Sequence, residues 1–219
     1  MTAPAPGFTA PTGAEAAADR AVHLIGFPAA VAATAWLVAS AGSEATALQG
    51  AALLIYSFGL LAMLAASAAY NMARPGRAKA LLQRLDHAMI FVMIAGSYTA
   101  FTLDALGPRL GPGFCALIWL LALAGIGLKL ACFERVERVS LALYLGMGWL
   151  LLAVIRPLAR ALPGEVVTLL LAGGAVYSLG SFVHTRERLP FHTAIWHAMV
   201  LVAAGLHLAG IARLVARTA

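Results

Sequence analysis

Leu189-Pro190-Phe191-His192-Thr193-Ala194-Ile195-Trp196-His197, continued as far as His207, decides how this chain is read. From Thr193 to Leu214 the stretch is apolar enough to cross a membrane, yet three of the six histidines lie in or beside it. Ionisable side chains are rare at that depth because burying them is costly, and those that occur are paired or do chemistry. The stretch therefore predicts a membrane helix with one face turned to a polar pocket.

The rest of the chain agrees. Its 219 residues are 62% hydrophobic and 11% charged, with a mean hydropathy of +0.89, whereas soluble domains carry roughly 25% charged residues. A hydrocarbon core of about 30 Å takes about 20 residues per helical crossing. That leaves room for seven spans: Ala21–Ser40, Ala47–Tyr70, Leu85–Leu106, Phe114–Cys132, Ser140–Ile155, Val166–Val183 and Thr193–Leu214. The expected fold is an all-α membrane protein, a seven-transmembrane helix bundle over residues 19–219. Residues 1–18, rich in Ala, Pro, Gly and Thr, read as a disordered tail. A β-barrel is disfavoured because the apolar runs are continuous rather than alternating. The net charge of +6 is scattered over loops, which points to membrane orientation rather than nucleic acid. Cys115 and Cys132 fall in one expected helix, about 25 Å apart at 1.5 Å per residue, too far for a disulfide.

The polar residues gather at one level. With a cytoplasmic amino terminus, His23 opens span one, Ser67, Tyr70 and Asn71 close span two, and Asp86 and His87 open span three. Ser181 and His184 close span six, and His192 and His197 open span seven. His207 lies about 15 Å further along its helix. Ser67 and Asn71, four apart, share a helix face. A zinc hydrolase needs three protein ligands, an open position for water and a carboxylate near that water. His197 suits the first role and Asp86 the last. Each residue also has a plainer reading. Asp86 is a first-turn acid favoured by the helix dipole. His87, His184 and His192 are interfacial, and a hydrogen bond to Asp86 would satisfy His197. Gly146-Met147-Gly148 is no phosphate loop, since Leu151 stands at the third glycine position and no strand precedes it. Gly173, Gly174 and the alanines around Ser67 read as helix-packing surfaces.

Several segments together resemble the hemolysin III family, bacterial relatives of the adiponectin and progestin receptors. They are His23-Leu24-Ile25-Gly26, Leu85-Asp86-His87-Ala88-Met89-Ile90-Phe91 with Gly96-Ser97-Tyr98-Thr99, Met147-Gly148-Trp149, Gly173 to Gly180, and Ile195-Trp196-His197. The resemblance implies seven helices, a cytoplasmic amino terminus and a zinc ion near the cytoplasmic face. In the family pattern one histidine at the end of the second helix and two on the seventh hold the zinc, and the third-helix Asp contacts its water. By position the Asp is Asp86, the second-helix serine is Ser67 and the deeper seventh-helix ligand is His197.

Two ligand positions depart from the pattern. Asn71 stands where the second-helix histidine is expected, and Thr193 stands four before His197. Both are poor zinc ligands beside imidazole, and Ala100 replaces a proline often found after the Tyr-Thr pair. His192 precedes His197 by five, about 140° round a regular helix. Either His192, His87 or His184 completes a rearranged zinc set with His197 and Asp86, or the cluster holds together by hydrogen bonds without metal. The expected function is metal-dependent hydrolysis of lipid amides or esters at the cytoplasmic leaflet of the plasma membrane, with membrane lipids as partners. The competing readings are a pore-forming, cytolytic protein and a non-catalytic sensor of membrane state.

Orientation follows from counting basic residues. Arg20, Arg74, Arg77, Lys79, Arg84, Lys129, Arg135, Arg138, Arg186 and Arg188 fall on one side; Arg109, Arg156, Arg160, Arg213 and Arg217 fall on the other. The richer side is cytoplasmic. A tag after Ala219 should therefore bind antibody on intact cells and a tag before Met1 only after permeabilisation; the reverse pattern would invert the topology.

Overall fold

The computed structural model describes residues 12–42 and 45–217 and contains only helices among them. They are α1 Gly13–Ser40, α2 Ala47–Met72, α3 Arg77–Thr102, α4 Gly107–Ala131, α5 Phe133–Trp149, a 3₁₀ segment Leu150–Val154, α6 Ile155–Ala161, α7 Gly164–His184 and α8 His192–Val215. Six stretches are long and apolar enough to cross a membrane: α1, α2, α4, Val139–Ala161, α7 and α8. Large apolar side chains such as Leu24, Ile25, Trp36, Phe58, Leu120 and Val202 are exposed on the outside, as lipid-facing positions are in a bundle whose backbone polar groups are satisfied within helices.

α3 is as long as α2 but less apolar, because it lies inside the bundle, against α2, α4, α5 and α8. Its hydroxyls are satisfied locally: Ser97, Thr99 and Thr102 donate to the carbonyls of Met93, Ala95 and Tyr98 at 3.0, 2.8 and 2.7 Å. Tyr98 donates to the carbonyls of Met147 and Gly148 at 3.0 and 2.8 Å, just where α5 yields to the 3₁₀ segment. The expected single span Ser140–Ile155 is thus broken. Pro157 lacks the N–H that would continue the ladder and its ring crowds the preceding turn, so the helix tightens there and Pro157 is accommodated in the first turn of the restarted helix α6.

The helices begin earlier than hydropathy alone indicates. α1 starts at Gly13 rather than Ala21, because Thr12 and Glu15 form a capping box that satisfies the first N–H groups. Of the expected tail, residues 13–18 are therefore helical, while residues 1–11 lie outside the described residues. A second capping box, Thr46 with Gln49, starts α2, and Gln49 also donates to Asp104 at 3.1 Å in the turn after α3.

α2 and α3 approach most closely through Gly59 and Gly96. A Cβ on Gly96 would lie 3.2 Å from the Ile55 carbonyl oxygen, and one on Gly59 would lie 3.1 Å from that of Val92. The closest backbone approach thus uses these glycines, whereas Ala65 and Ala69, expected as a packing surface, are exposed. Gly173 does pack as expected, against His207 and α8. Gly96→Leu should destabilise the bundle by about 2 kcal/mol or more through overpacking. Gly127→Leu, at an exposed position with no neighbour inside 4 Å, should leave it unchanged. Thermal unfolding of the two variants in detergent checks the difference.

Candidate functional site

The chamber is built from helix ends. Asp19 and His23 are one turn apart on α1, which places both side chains on one face. His197 lies just inside α8. Its Nδ1 meets Asp19 Oδ1 at 2.5 Å, its Nε2 meets Ser67 Oγ of α2 at 3.4 Å, and its ring packs 4.5 Å from that of His23. His23 Nε2 stands 3.6 Å from Asp19 Oδ2, beyond hydrogen-bond reach, and is a buried nitrogen with no hydrogen-bond partner among the described residues. Asp19, His23, Ser67 and His197 are all buried.

Asn71 donates from Nδ2 to the Ser67 carbonyl at 2.9 Å and lies 3.5 Å from Ser67 Oγ. Asp86 reaches the same place from α3, with Ser67 as a hydrogen-bonding neighbour and His87, His197 and His23 within electrostatic range. All of these residues line one cavity of about 900 Å³, which extends from Glu15 and His192 at the helix ends to Phe101, Leu170 and His207 deeper in the bundle. Deeper in the cavity Ser97, Tyr98, Ser178, Tyr177 and His207 interrupt a largely apolar lining, and the rings of Tyr177 and His207 meet edge to face. His207 donates from Nε2 to the Leu170 carbonyl at 3.1 Å.

Ser67, Asn71, Asp86 and His197 line the same part of the cavity, and His23 joins them from α1, but His192, His184 and His87 turn elsewhere. His192 begins α8 with Nδ1 against the Leu189 carbonyl at 3.2 Å and Nε2 against its neighbour Thr193 at 3.3 Å. Its ring faces His184, 6.4 Å away. Both therefore sit at the mouth, where α8 has only begun to turn. His87 directs Nδ1 to Lys129 at 3.2 Å and its ring to Phe133, towards α4 and α5. The partner expected for His197 was Asp86; the hydrogen bond in fact goes to Asp19. Asp19 escaped sequence reading because hydropathy began the first span at Ala21. The overlooked signal was Asp19-x-x-x-His23 itself, two groups on one face of a helix whose N-cap sequence, Thr12 to Glu15, lies upstream.

At the two positions where the family resemblance leads one to expect further imidazole ligands, Asn71 and Thr193 offer only amide and hydroxyl oxygens, which do not fit zinc well. A different set does fit by chemistry. One atom each from Asp19, His23 and His197 lies within 4.8 Å of the others, the group of this kind found among the described residues, and it could hold a metal ion. The 3.6 Å between His23 Nε2 and Asp19 Oδ2 is close to the roughly 3.4 Å separating two ligands of a tetrahedral zinc with bonds of about 2.1 Å. The 2.5 Å between His197 Nδ1 and Asp19 is a hydrogen bond, which a metal at that nitrogen would have to replace.

Entry to the chamber is framed by Glu15. Its Oε1 accepts the N–H of Phe191 at 3.0 Å, where Phe191 holds a left-handed conformation with φ 59°. This bond ties the start of α1 to the turn that launches α8, so Asp19 and His197 are brought face to face by a contact one turn above them.

The family model described as "Haemolysin-III related" matches residues 18–208. The chain is 34% identical to a hemolysin-3 homolog of Bacillus subtilis (strain 168) over 85% of this chain and 88% of that protein. It is 36% identical to hemolysin-3 of Bacillus cereus over 85% of each. A human monocyte to macrophage differentiation factor is 30% identical over 70% of this chain and 66% of its own length. No solved structure matches. The match spans α1 to α8, and thus every helix that lines the chamber, so the chain belongs to the haemolysin III-related family of integral multi-pass membrane proteins.

Proposed function

We propose that this protein hydrolyses an amide or ester bond of a membrane lipid, in a chamber at the cytoplasmic leaflet of the plasma membrane. In this reading α3 is the seventh crossing and the amino terminus is cytoplasmic. The observation that carries it is the meeting of an acid, two imidazoles and a hydroxyl from α1, α2 and α8 at the head of a largely apolar cavity. Acyl cleavage needs that combination: a base to take a proton from the attacking oxygen, a donor facing the carbonyl oxygen, and an apolar slot for the chain.

The attacking oxygen has two sources in this donor set. Zinc held by Asp19, His23 and His197 would supply Lewis acidity and a water acidified towards neutrality. The hydroxyl of Ser67 is the other source. In both cases Asp86 stands beside Ser67 as a carboxylate able to hold a proton or a water, and Leu170, Phe101 and Met93 line the acyl slot. A lipid thus docks with its carbonyl at the level of Ser67 and its chain directed towards His207.

Two measurements test the proposal. Protein reconstituted in liposomes with fluorescent N-acyl and ester lipids should release free fatty acid, and His197→Ala, which removes a group shared by both oxygen sources, should lower the rate at least about a hundredfold. Leakage of an entrapped dye without fatty acid release would mark a pore instead, and neither signal would leave a sensor. Separately, zinc titrated into the purified protein should bind near one equivalent. Asp19→Asn and His23→Ala should each weaken binding at least about tenfold, whereas Thr193→Ala should not. Binding that depends on Thr193 but not on Asp19 would remove this ligand set.

A further inference from the structure

Resting on the hydrolase reading, we infer that the nucleophile is Ser67 Oγ, activated by His197 and oriented by Asp19, so that the chain carries a serine-histidine-aspartate relay needing no metal. Asp19 Oδ1, His197 Nδ1, His197 Nε2 and Ser67 Oγ follow one another with contacts of 2.5 and 3.4 Å; Asp86 also neighbours Ser67, and the single hydroxyl hydrogen turns from that carboxylate to Nε2 when the relay acts. Such constellations are recognised by geometry and role, not by sequence order or fold. The longer contact is within the range that nucleophile and base show before substrate binds.

Three further features fit the relay. The Asp19 carboxylate accepts from Nδ1, which fixes the hydrogen there and leaves the lone pair on Nε2, the nitrogen that faces Ser67. The His23 ring packs against His197 and limits its rotation. Asn71 has Nδ2 3.5 Å from Ser67 Oγ while one of its hydrogens goes to the Ser67 carbonyl. The second hydrogen is directed to Ser67 Oγ, and an acyl carbon bonded to Oγ would bring its oxyanion within reach of this donor. An amide donor is suited to that role in a way that imidazole bound to metal is not. The substitution that removes a metal ligand at position 71 therefore supplies what a serine mechanism needs.

The steps balance with water as the sole co-reactant. As Oγ bonds to the acyl carbon, its proton passes to Nε2. The C–N or C–O bond of the lipid then breaks, and the leaving amine or alcohol departs with that proton. A water next gives a proton to Nε2 while its oxygen bonds to the acyl carbon. The ester to Ser67 breaks, the proton returns to Oγ, and the fatty acid leaves. Asp19 stays ionised throughout and is a positioning residue. A metal at Nδ1 would displace its hydrogen bond, so metal occupancy and the relay exclude each other.

The test uses full-length protein in detergent and a fluorophosphonate probe, read by peptide mass spectrometry. The expected result is phosphonylation of Ser67 that persists in EDTA, is slowed by added zinc and is absent in Ser67→Ala. His197→Ala and Asp19→Asn should slow it at least about a hundredfold, with Asp19→Glu regaining part of the rate. Asp19→Asn should lower kcat for lipid cleavage with little change in KM while eluting as a monodisperse species and unfolding at the wild-type temperature, which a loss of folding would not do. The near-isosteric Asp19→Asn carries the test if His197→Ala fails to elute as a monodisperse species. Lipid cleavage that EDTA abolishes, with Ser67 unmodified, would overturn the relay and leave the hydrolase reading standing. Labelling that survives in Asp19→Asn and His197→Ala but fails in Asp86→Asn would make Asp86 the base and overturn it too. Labelling with the expected dependence but no lipid cleavage would support the relay and refute the substrate class.

Discussion

A carboxylate carried into an apolar bundle has to find a donor there, because leaving it unpaired costs several kcal/mol. Asp19 meets that requirement with His197 across the helix interface and keeps His23 beside it one turn along its own helix. α1 is a peripheral helix that packs chiefly on α2 and α8 among the described residues, and much of its surface, including Leu24, Ile25 and Trp36, faces outward. Its polar face at Asp19 and His23 therefore sets its rotation: turned away, it would present a carboxylate and an imidazole to lipid. The Glu15 bond to Phe191 acts in the same direction at the helix end.

The same requirement shapes the interior. The hydroxyls of α3 fold back onto their own helix, and Tyr56, Tyr98 and Trp149 each bridge to a neighbouring helix at 3.4, 2.8 and 3.0 Å. These bonds leave few polar groups to face the cavity below the level of Ser67. The chamber is consequently more polar at its head than along its length, where Ser97, Tyr98, Tyr177, Ser178 and His207 interrupt a largely apolar lining.

Within the family, the chamber here is assembled from different residues than the ones the sequence resemblance points to. Asn71 and Thr193 withdraw two imidazoles, and α1 brings an acid and an imidazole to the same place. Asp19 holds His197 by a hydrogen bond to Nδ1, and the same two side chains with His23 form the group that could hold a metal ion.

Membrane class, the all-helical fold, the order of the apolar segments and the clustering of polar residues at one end were legible in the sequence, because hydropathy and helical spacing act locally. His197 and Ser67 could be singled out for the same reason: each is a polar side chain in an apolar run. Which acid reaches His197 was not legible. Asp19 precedes the expected first span by two residues and falls between tail and helix unless the Thr12–Glu15 cap is recognised as extending α1. Asp86 lies at the same membrane level and is an equally good partner on paper. Likewise His192 and His87 share that level but point to the mouth and to α4, since depth along a helix follows from residue count while direction follows from how each helix rotates against its neighbours. The sequence thus determined how deep each polar group lies, and only packing decided which of them face one another, because rotation is set by long-range contacts such as Gly59 and Gly96 between α2 and α3 and Glu15 with Phe191 between α1 and α8.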